Sequence, residues 1–366
     1  MLSDERFMRV AIALARRGQG NVAPNPSVGC VIVNGGNIVG RGWTQPGGRP
    51  HAETEALKRA GARAVGATAY ITLEPCAHQG KTQPCAQALI DAKISRAVLG
   101  PLDPDPRVDG AGIKMLRAAE IEVIEGVCQN DAESVAAGFF KRARSGRPLV
   151  TLKIATTLDG KIATAVGESK WITGDESRAI GHAMRARHDA VLVGGHTVFV
   201  DNPALTCRLP GLDAQSPVRV ILDGNNEIPR THTLLKTSDE ISTWIMVPRN
   251  ISKDRRARYI DAGADVIDIG SSPNGKPDLG LALSALGKRG ITRLMVEGGG
   301  RIIAGFMRDR LADFLVWFRT PMVIGADGIA GVAALGIQKL DEAPNFVKLS
   351  TRTAGDDVVE TYVLSR

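Results

Sequence analysis

His51-Ala52-Glu53, followed by Leu73-Glu74-Pro75-Cys76 and then by Cys85, sets an imidazole, two thiols and carboxylates close together in the chain. Imidazole nitrogen and thiolate sulfur suit Zn²⁺, and three protein ligands leave a fourth position open for water. A metal there lowers the pKa of that water from about 15.7 towards about 7. Glu53 is near enough to His51 to reach the water without being a ligand. That placement suits a general acid/base that carries a proton from water to a departing amine. Ala52, Ala56, Leu57 and Ala60 recur at helical spacing, so His51 and Glu53 fall in the first turn of a helix. Ala69 to Leu73 reads as a strand that delivers Cys76 at its end, and Pro84 to Ala92 as a helix starting near Cys85. Helix starts favour thiolate, because the positive end of the dipole stabilises anions.

Outward from this core the pattern continues. Phe7, Val10, Ala11 and Leu14 mark a helix that ends at Gly18-Gln19-Gly20. Val28 to Val33 and Ile38 to Trp43 read as strands joined by the turn Asn34-Gly35-Gly36-Asn37. Arg96 to Leu99 is a further strand, Gly112 to Ala119 a helix, Ile121 to Ile124 a strand, and Asp131 to Arg144 one helix. The order α-β-β-α-β-α-β predicts an α/β/α layered domain. Arg144-Ser145-Gly146-Arg147-Pro148 reads as a linker, giving domains 1–146 and 147–366.

With 366 residues, two domains can each bury a core. The net charge of +7 is spread without a dense basic run, and aromatics are only 4%. Both facts argue against nucleic acid as partner. Five cysteines without disulfide-like spacing fit a reducing compartment. The first residues do not read as a signal peptide, and no apolar run reaches membrane-spanning length. A soluble, cytoplasmic protein with no membrane partner is expected.

The second half opens on the β-rich run Leu149 to Ala155. Short apolar strands follow at Val191 to Val193, Val218 to Leu222, Thr243 to Val247, Val266 to Ile269 and Leu294 to Val296. Late strands are expected near Phe314 to Phe318 and Val358 to Leu364. Helical patterns between several of them predict a mostly parallel sheet covered on both faces. Strand Leu294 to Glu297 runs into Gly298-Gly299-Gly300 and an apolar helix, Ile302 to Leu311. Such a turn lets backbone amides approach phosphate oxygens, but Ile303 breaks the Gly-x-Gly-x-x-Gly pattern.

These motifs carry a resemblance. His51-Ala52-Glu53 with Pro75-Cys76 and the later Cys85 resembles the zinc deaminase pattern. Ala23-Pro24-Asn25-Pro26-Ser27-Val28-Gly29-Cys30, Thr72-Leu73-Glu74-Pro75-Cys76 and the long cysteine spacing containing Gly80 and Thr82 look like the bifunctional deaminase–reductases of riboflavin biosynthesis. Gln79 and Gln83 stand where a His and a Pro are more usual in that family. Lys153 to Lys161, Ser169-Lys170-Trp171-Ile172-Thr173, Asp201 to Thr206, Arg208 and Glu297 to Gly300 look like its reductase half. The resemblance implies a cytidine-deaminase-like α/β/α domain followed by a dihydrofolate-reductase-like α/β domain. It implies Zn²⁺ at His51, Cys76 and Cys85, with Glu53 catalytic and Asn25 against the pyrimidine. It implies NADPH bordered by Ala155, Trp171, Thr197, Asp201 and the run Gly299, Gly300, Arg301, Ile302, Ile303, Ala304 and Gly305. Arg301 stands where a small hydroxyl residue is more usual. Ser169, Arg185, Leu205, Arg208 and Glu297 would border the ribose phosphate. The implied chemistry is deamination of 2,5-diamino-6-ribosylamino-4(3H)-pyrimidinone 5′-phosphate, then reduction of its ribosyl group to ribityl. The family also suggests a homo-oligomer.

Three other readings compete on the residues alone. His78 as a fourth ligand would make the zinc site structural. A nucleic-acid or nucleoside deaminase could be fused to a nucleotide-binding domain, or the zinc module could be regulatory without catalysis. Glu53 beside the metal favours catalysis. His182, His188, His196 and His232 lack ligand partners in sequence and read as surface or packing residues. Cys30, Cys128 and Cys207 read as ordinary thiols. No residue reads as the proton donor of the reductase step.

Overall fold

Strand β1 (Gly29–Asn34) turns Cys30 and Ile32 into one apolar core and Val31 and Val33 into another. That two-residue alternation belongs to a strand covered on both faces. The computed structural model describes residues 2–79, 83–105, 108–224, 228–270 and 277–365; Gly80 and Thr82 lie outside the described residues. The chain divides into two compact units, Met1–Gly146 and Arg147–Arg366.

In the first unit, α1 (Leu2–Ala15) precedes β1. Then come β2 (Asn37–Trp43), α2 (Ala52–Ala60), β3 (Thr68–Ile71), α3 (Cys85–Asp91), β4 (Arg96–Leu99), α4 (Ala111–Ala118) and β5 (Glu122–Ile124), closed by α5 (Gln129–Val135) and α6 (Ala137–Ser145). The sheet order is β2-β1-β3-β4-β5. β1 is antiparallel to β2 and β3, while β3, β4 and β5 are parallel. Ala52, Ala56, Ala86, Leu89, Ile113 and Leu116 cover one face; Met8, Ala11, Ile12, Ala132 and Val135 cover the other. The single helix expected over 131–144 is two. The backbone leaves helical geometry at Ala136 (φ −91°, ψ 11°), although both halves bury apolar residues. Ala132 and Val135 enter one core and Ala136 and Phe140 the other, which one straight helix could not arrange.

The second unit runs β6 (Leu149–Thr156), β7 (Lys161–Ala163), α7 (Asp175–Ala186), β8 (Ala190–Gly194), α8 (Gly195–Asp201), β9 (Val218–Leu222), α9 (Thr233–Lys236) and β10 (Thr243–Pro248). It continues with α10 (Lys253–Ile260), β11 (Asp265–Ile269), α11 (Leu279–Lys288), β12 (Arg293–Val296) and α12 (Gly300–Arg308). β13 (Phe314–Arg319), β14 (Ile329–Ala330), β15 (Phe346–Ala354) and β16 (Asp357–Leu364) complete it. The nine-stranded order is β11-β10-β9-β8-β12-β6-β13-β16-β15. β11 through β13 are parallel; β16 and β15 are antiparallel additions. The chain starts at β6, builds outward through β8 to β11, and returns to insert β12 between β8 and β6. The strand order therefore reverses beside β12, where α/β sheets leave a crevice at the carboxyl ends of their strands. β15 was not expected from its sequence. As the outer strand, it is exposed along most of its length and needs no apolar alternation.

Candidate active sites

The deaminase-type site begins with close helix packing. A Cβ at Gly42 of β2 would sit 2.1 Å from the carbonyl oxygen of Ala52, so only glycine lets α2 lie this near the sheet. His51 leads into α2 in extended conformation, and Glu53 turns inward, 4% exposed. On the next crossover, Cys76 follows β3 by way of Glu74, which is itself buried. The Glu74 carboxylate accepts the N–H groups of Asp103 (3.3 Å), Gly110 (3.1 Å), Gly112 (3.0 Å) and Ile113 (3.4 Å). It therefore ties the Pro75-Cys76 turn to the start of α4. Cys85 opens α3, and its N–H donates to Cys76 Sγ at 3.3 Å.

His51 Nδ1 lies 3.2 Å from Cys85 Sγ and 3.7 Å from Cys76 Sγ, and the three ligand atoms fall within 4.8 Å of one another. One nitrogen and two sulfurs at that spacing are a donor set for zinc. The proton is shared unevenly between the two thiols: the hydrogen bond to Cys76, then burial, hold the Cys85 thiol well above its ordinary value. Hydrogen bonds from Cys85 and His51 pull the Cys76 thiol down to about 4, while burial pushes the Glu53 carboxyl up. His78 is exposed and stands outside the group. Asn25 packs against Gly48, just before His51: a Cβ at Gly48 would fall 1.9 Å from Asn25 Nδ2. Cys30, Cys128 and Cys207 are free thiols outside the cluster.

The reductase-type site gathers at the end of β12. A Cβ at Gly298 would lie 2.9 Å from Val193 Cα, so this glycine lets the turn cross against β8. One at Gly299 would lie 3.1 Å from Thr197 Oγ1, which brings α8 to the same turn. Of the run Gly299 to Gly305, only the first part faces outward. Arg301 is exposed and Ile302 half-buried, whereas Ile303, Ala304 and Gly305 are buried. Ile303 belongs to the apolar core. Asp201 ends α8, and burial raises its pKa despite the nearby charge of Lys170. Ala155 packs in the β6 layer beside Phe318. Ser169 and Trp171 lie on the segment between β7 and α7, where Arg178 stacks on the exposed indole at 4.6 Å.

Glu297 and Arg185 form a two-pronged ion pair. Arg185 Nε donates to Oε1 at 2.6 Å and Nη2 to Oε2 at 2.8 Å, while Nη1 donates to the Thr206 carbonyl at 3.0 Å. Burial opposes the Glu297 charge, yet Arg185 holds its carboxyl below the ordinary value. Leu205 is buried beside this pair's anchor, and Arg208 is exposed, with Nη1 3.4 Å from Thr206 Oγ1.

Lys153 was not singled out from the sequence. It lies on β6 with its Nζ 5.3 Å from the Phe318 ring centre, and burial lowers its pKa, with Glu297 opposing and Arg185 adding to that shift. The available signal was a lysine interrupting the apolar run Leu149 to Ala155. Glu74 and His182 were also missed as organising residues; neither type nor spacing marked them. His188 is a core residue: Nδ1 meets Met184 O at 2.7 Å and Nε2 meets Thr151 Oγ1 at 3.2 Å.

Residues 148–359 match the family described as RibD C-terminal domain, and residues 1–101 match the cytidine and deoxycytidylate deaminase zinc-binding region. The riboflavin biosynthesis protein RibD of Aquifex aeolicus is 40% identical over 356 residues, covering 97% of each chain. That of Escherichia coli is 38% identical over 370 residues, covering 98% of each. The solved structure of Acinetobacter baumannii RibD (form 1) superposes with a TM-score of 0.90 at 35% identity, covering 100% of this chain and 99% of that one. The donor set of the first unit fits zinc, and the second unit carries the reductase domain that uses NADPH. The chain accordingly belongs to the RibD family, the bifunctional enzymes of riboflavin biosynthesis that deaminate 2,5-diamino-6-ribosylamino-4(3H)-pyrimidinone 5′-phosphate with zinc and then reduce its ribosyl group to ribityl with NADPH.

Proposed function

We propose that His51, Cys76 and Cys85 hold the zinc ion, and that Glu53 moves the protons of the deamination. The observation that carries this reading is the meeting of three soft and borderline donors within 4.8 Å, with a buried carboxylate two residues from one of them. Bound zinc supplies the Lewis acidity that makes water nucleophilic at neutral pH. Glu53, its proton affinity raised by burial, would take a proton from water as the water oxygen adds to the amino-bearing carbon, and would return it to the amino group as the C–N bond breaks and ammonia leaves. Asn25, seated against Gly48, contacts the pyrimidine.

In the second unit the turn Gly299-Gly300-Arg301-Ile302 approaches the cofactor, with Thr197, Asp201, Ala155 and Trp171 around it. Ile303, Ala304 and Gly305 support that turn from the buried side of α12. NADPH supplies the hydride that reduces C1′ of the ribose. As C1′ is reduced, the C1′–O4′ bond breaks and O4′ takes a proton. We assign that proton to Lys153, whose ammonium burial makes more acidic than an ordinary lysine's. Arg208 takes the substrate phosphate, for which an arginine fork is suited, while Arg185, its fork held by Glu297, borders the ribose phosphate with Ser169, Leu205 and Glu297. The reading places the enzyme in the cytoplasm as a homo-oligomer acting on small molecules. It gives nucleic acid no role. No described helix is long and apolar enough to cross a membrane.

The test is two assays on one preparation. Chelation should remove ammonia release from the diaminopyrimidine while NADPH oxidation on the deaminated substrate continues. Loss of both together, with the protein still folded, would show that the two sites are not separate.

A further inference from the structure

His182 belongs to α7, one turn before Arg185, and meets the segment Leu205–Arg208. Leu205 is 3% exposed with a φ of +57°. Left-handed backbone is costly for a leucine and persists only where the surroundings hold it. Three contacts do so on its C-terminal side. Arg185 Nη1 donates to the Thr206 carbonyl, the Cys207 N–H donates to Ser216 Oγ at 3.1 Å, and His182 Nδ1 stands between two backbone groups. Those groups are the Thr206 carbonyl oxygen at 3.1 Å and the Arg208 N–H at 3.3 Å. One ring nitrogen serves only one of them in a given tautomer. Protonated, Nδ1 donates to Thr206; unprotonated, it accepts from Arg208. Either bond ties the segment to α7. Burial, then the charges of Arg185 and Arg208, lower the imidazole's pKa, which favours the neutral ring that alone can accept from Arg208; the bond to Thr206 needs only a proton on Nδ1.

We propose that His182 is a positioning residue for the reductase substrate: it fixes the Leu205–Arg208 segment so that the Arg208 guanidinium meets the substrate phosphate. This rests on the phosphate role given to Arg208 above. His182 does not touch the substrate; it acts through the backbone of Thr206 and Arg208. Arg208 needs such help. Its side chain is exposed and its described contact with Thr206 Oγ1 is long, so its own hydrogen bonding does little to hold its direction.

The experiment is steady-state NADPH oxidation by the full-length chain carrying H182A, H182N, R208A or H182A/R208A. Loss of one neutral hydrogen bond should raise KM for the phosphorylated substrate about three- to tenfold in H182A, with kcat and the KM for NADPH little changed. In H182N an amide stands near the Nδ1 position, so KM should return towards wild type. On the R208A background the His182 substitution should add almost nothing, because its effect runs through Arg208. A KM rise in H182A that multiplies with that of R208A, or a fall in kcat at unchanged KM, would overturn the positioning role. If R208A alone leaves KM unchanged, it is the phosphate reading that fails, and the positioning role fails with it. If H182A does not fold, H182Q takes its place in the same comparison, since its amide reaches past the Nδ1 position.

Discussion

The two candidate sites are assembled in opposite ways. The His51-Cys76-Cys85 group draws on the ends of neighbouring elements, with His51 before α2, Cys76 after β3 and Cys85 at the head of α3. The reductase cluster draws on β6, α7, the Leu205–Arg208 segment and the end of β12, so that Arg185 and Glu297 meet across 112 positions of chain. A short-range site is specified by rare side chains at set spacing. A long-range site is specified by which strands lie together, and common residues acquire roles there through their neighbours.

The largest expected effect tests the first half of that contrast. C85S should lose zinc and with it deamination, because a hydroxyl is a poor substitute for a thiolate donor. Metal content measured beside ammonia release checks this, and full zinc with normal deamination would remove Cys85 from the site. E53Q comes next. It keeps the shape of the side chain but not its proton transfer, so deamination should fall about 10²–10⁴-fold with zinc retained. NADPH oxidation on the deaminated substrate should stay near wild type.

The second half is tested by breaking the long-range pair. R185A leaves the Glu297 charge buried without its partner, and loss of a buried pair typically costs about 3–5 kcal/mol. Thermal or denaturant unfolding followed in the second unit should show this loss together with reductase activity. A variant as stable as wild type would mean that solvent already screens Glu297. R208A should be milder in stability and specific in binding. Losing a charge-assisted hydrogen bond of about 1.5–3 kcal/mol raises KM for the phosphorylated substrate by roughly ten- to a hundredfold.

The smallest expected effect is a pH dependence. Burial, aided by the charge of Arg293, holds His188 at about 3, below the ordinary histidine value of about 6.5. The unfolded chain therefore binds a proton that the folded chain refuses. The resulting stability is fully present above pH 6.5 and is lost as the pH falls through the window towards 3. At pH 5 the loss from this group should be about 2 kcal/mol. H188Q should flatten that part of the stability profile; an unchanged slope would mean the ring is protonated in the folded protein.

Much of the first unit could be read from its residues, and less of the second. The apolar run Val28 to Val33 reads as a strand, and the structure has one at Gly29–Asn34; that its two faces enter separate cores is seen only in the fold. The break at Ala136 could not be read, because Ala132, Val135, Ala136 and Phe140 are all apolar and only the position of two cores divides them. β15 escaped for the converse reason: as an exposed outer strand, it carries no burial pattern. Lys153 looked like one charge in an apolar run until Glu297, Arg185 and Phe318 were found around it.

The sequence by itself determined the metal chemistry, since the donor preferences of imidazole and thiolate for zinc do not wait for a fold. It also determined most of the strands and helices of the first unit, where apolar residues recur at strand or helix spacing. Only the tertiary structure decided that β12 returns between β8 and β6, and that Glu297 thereby meets Arg185 while His182 meets Arg208. Those contacts join segments far apart in the chain, and an arginine, a lysine or a histidine gains direction and a shifted pKa only from what packs against it.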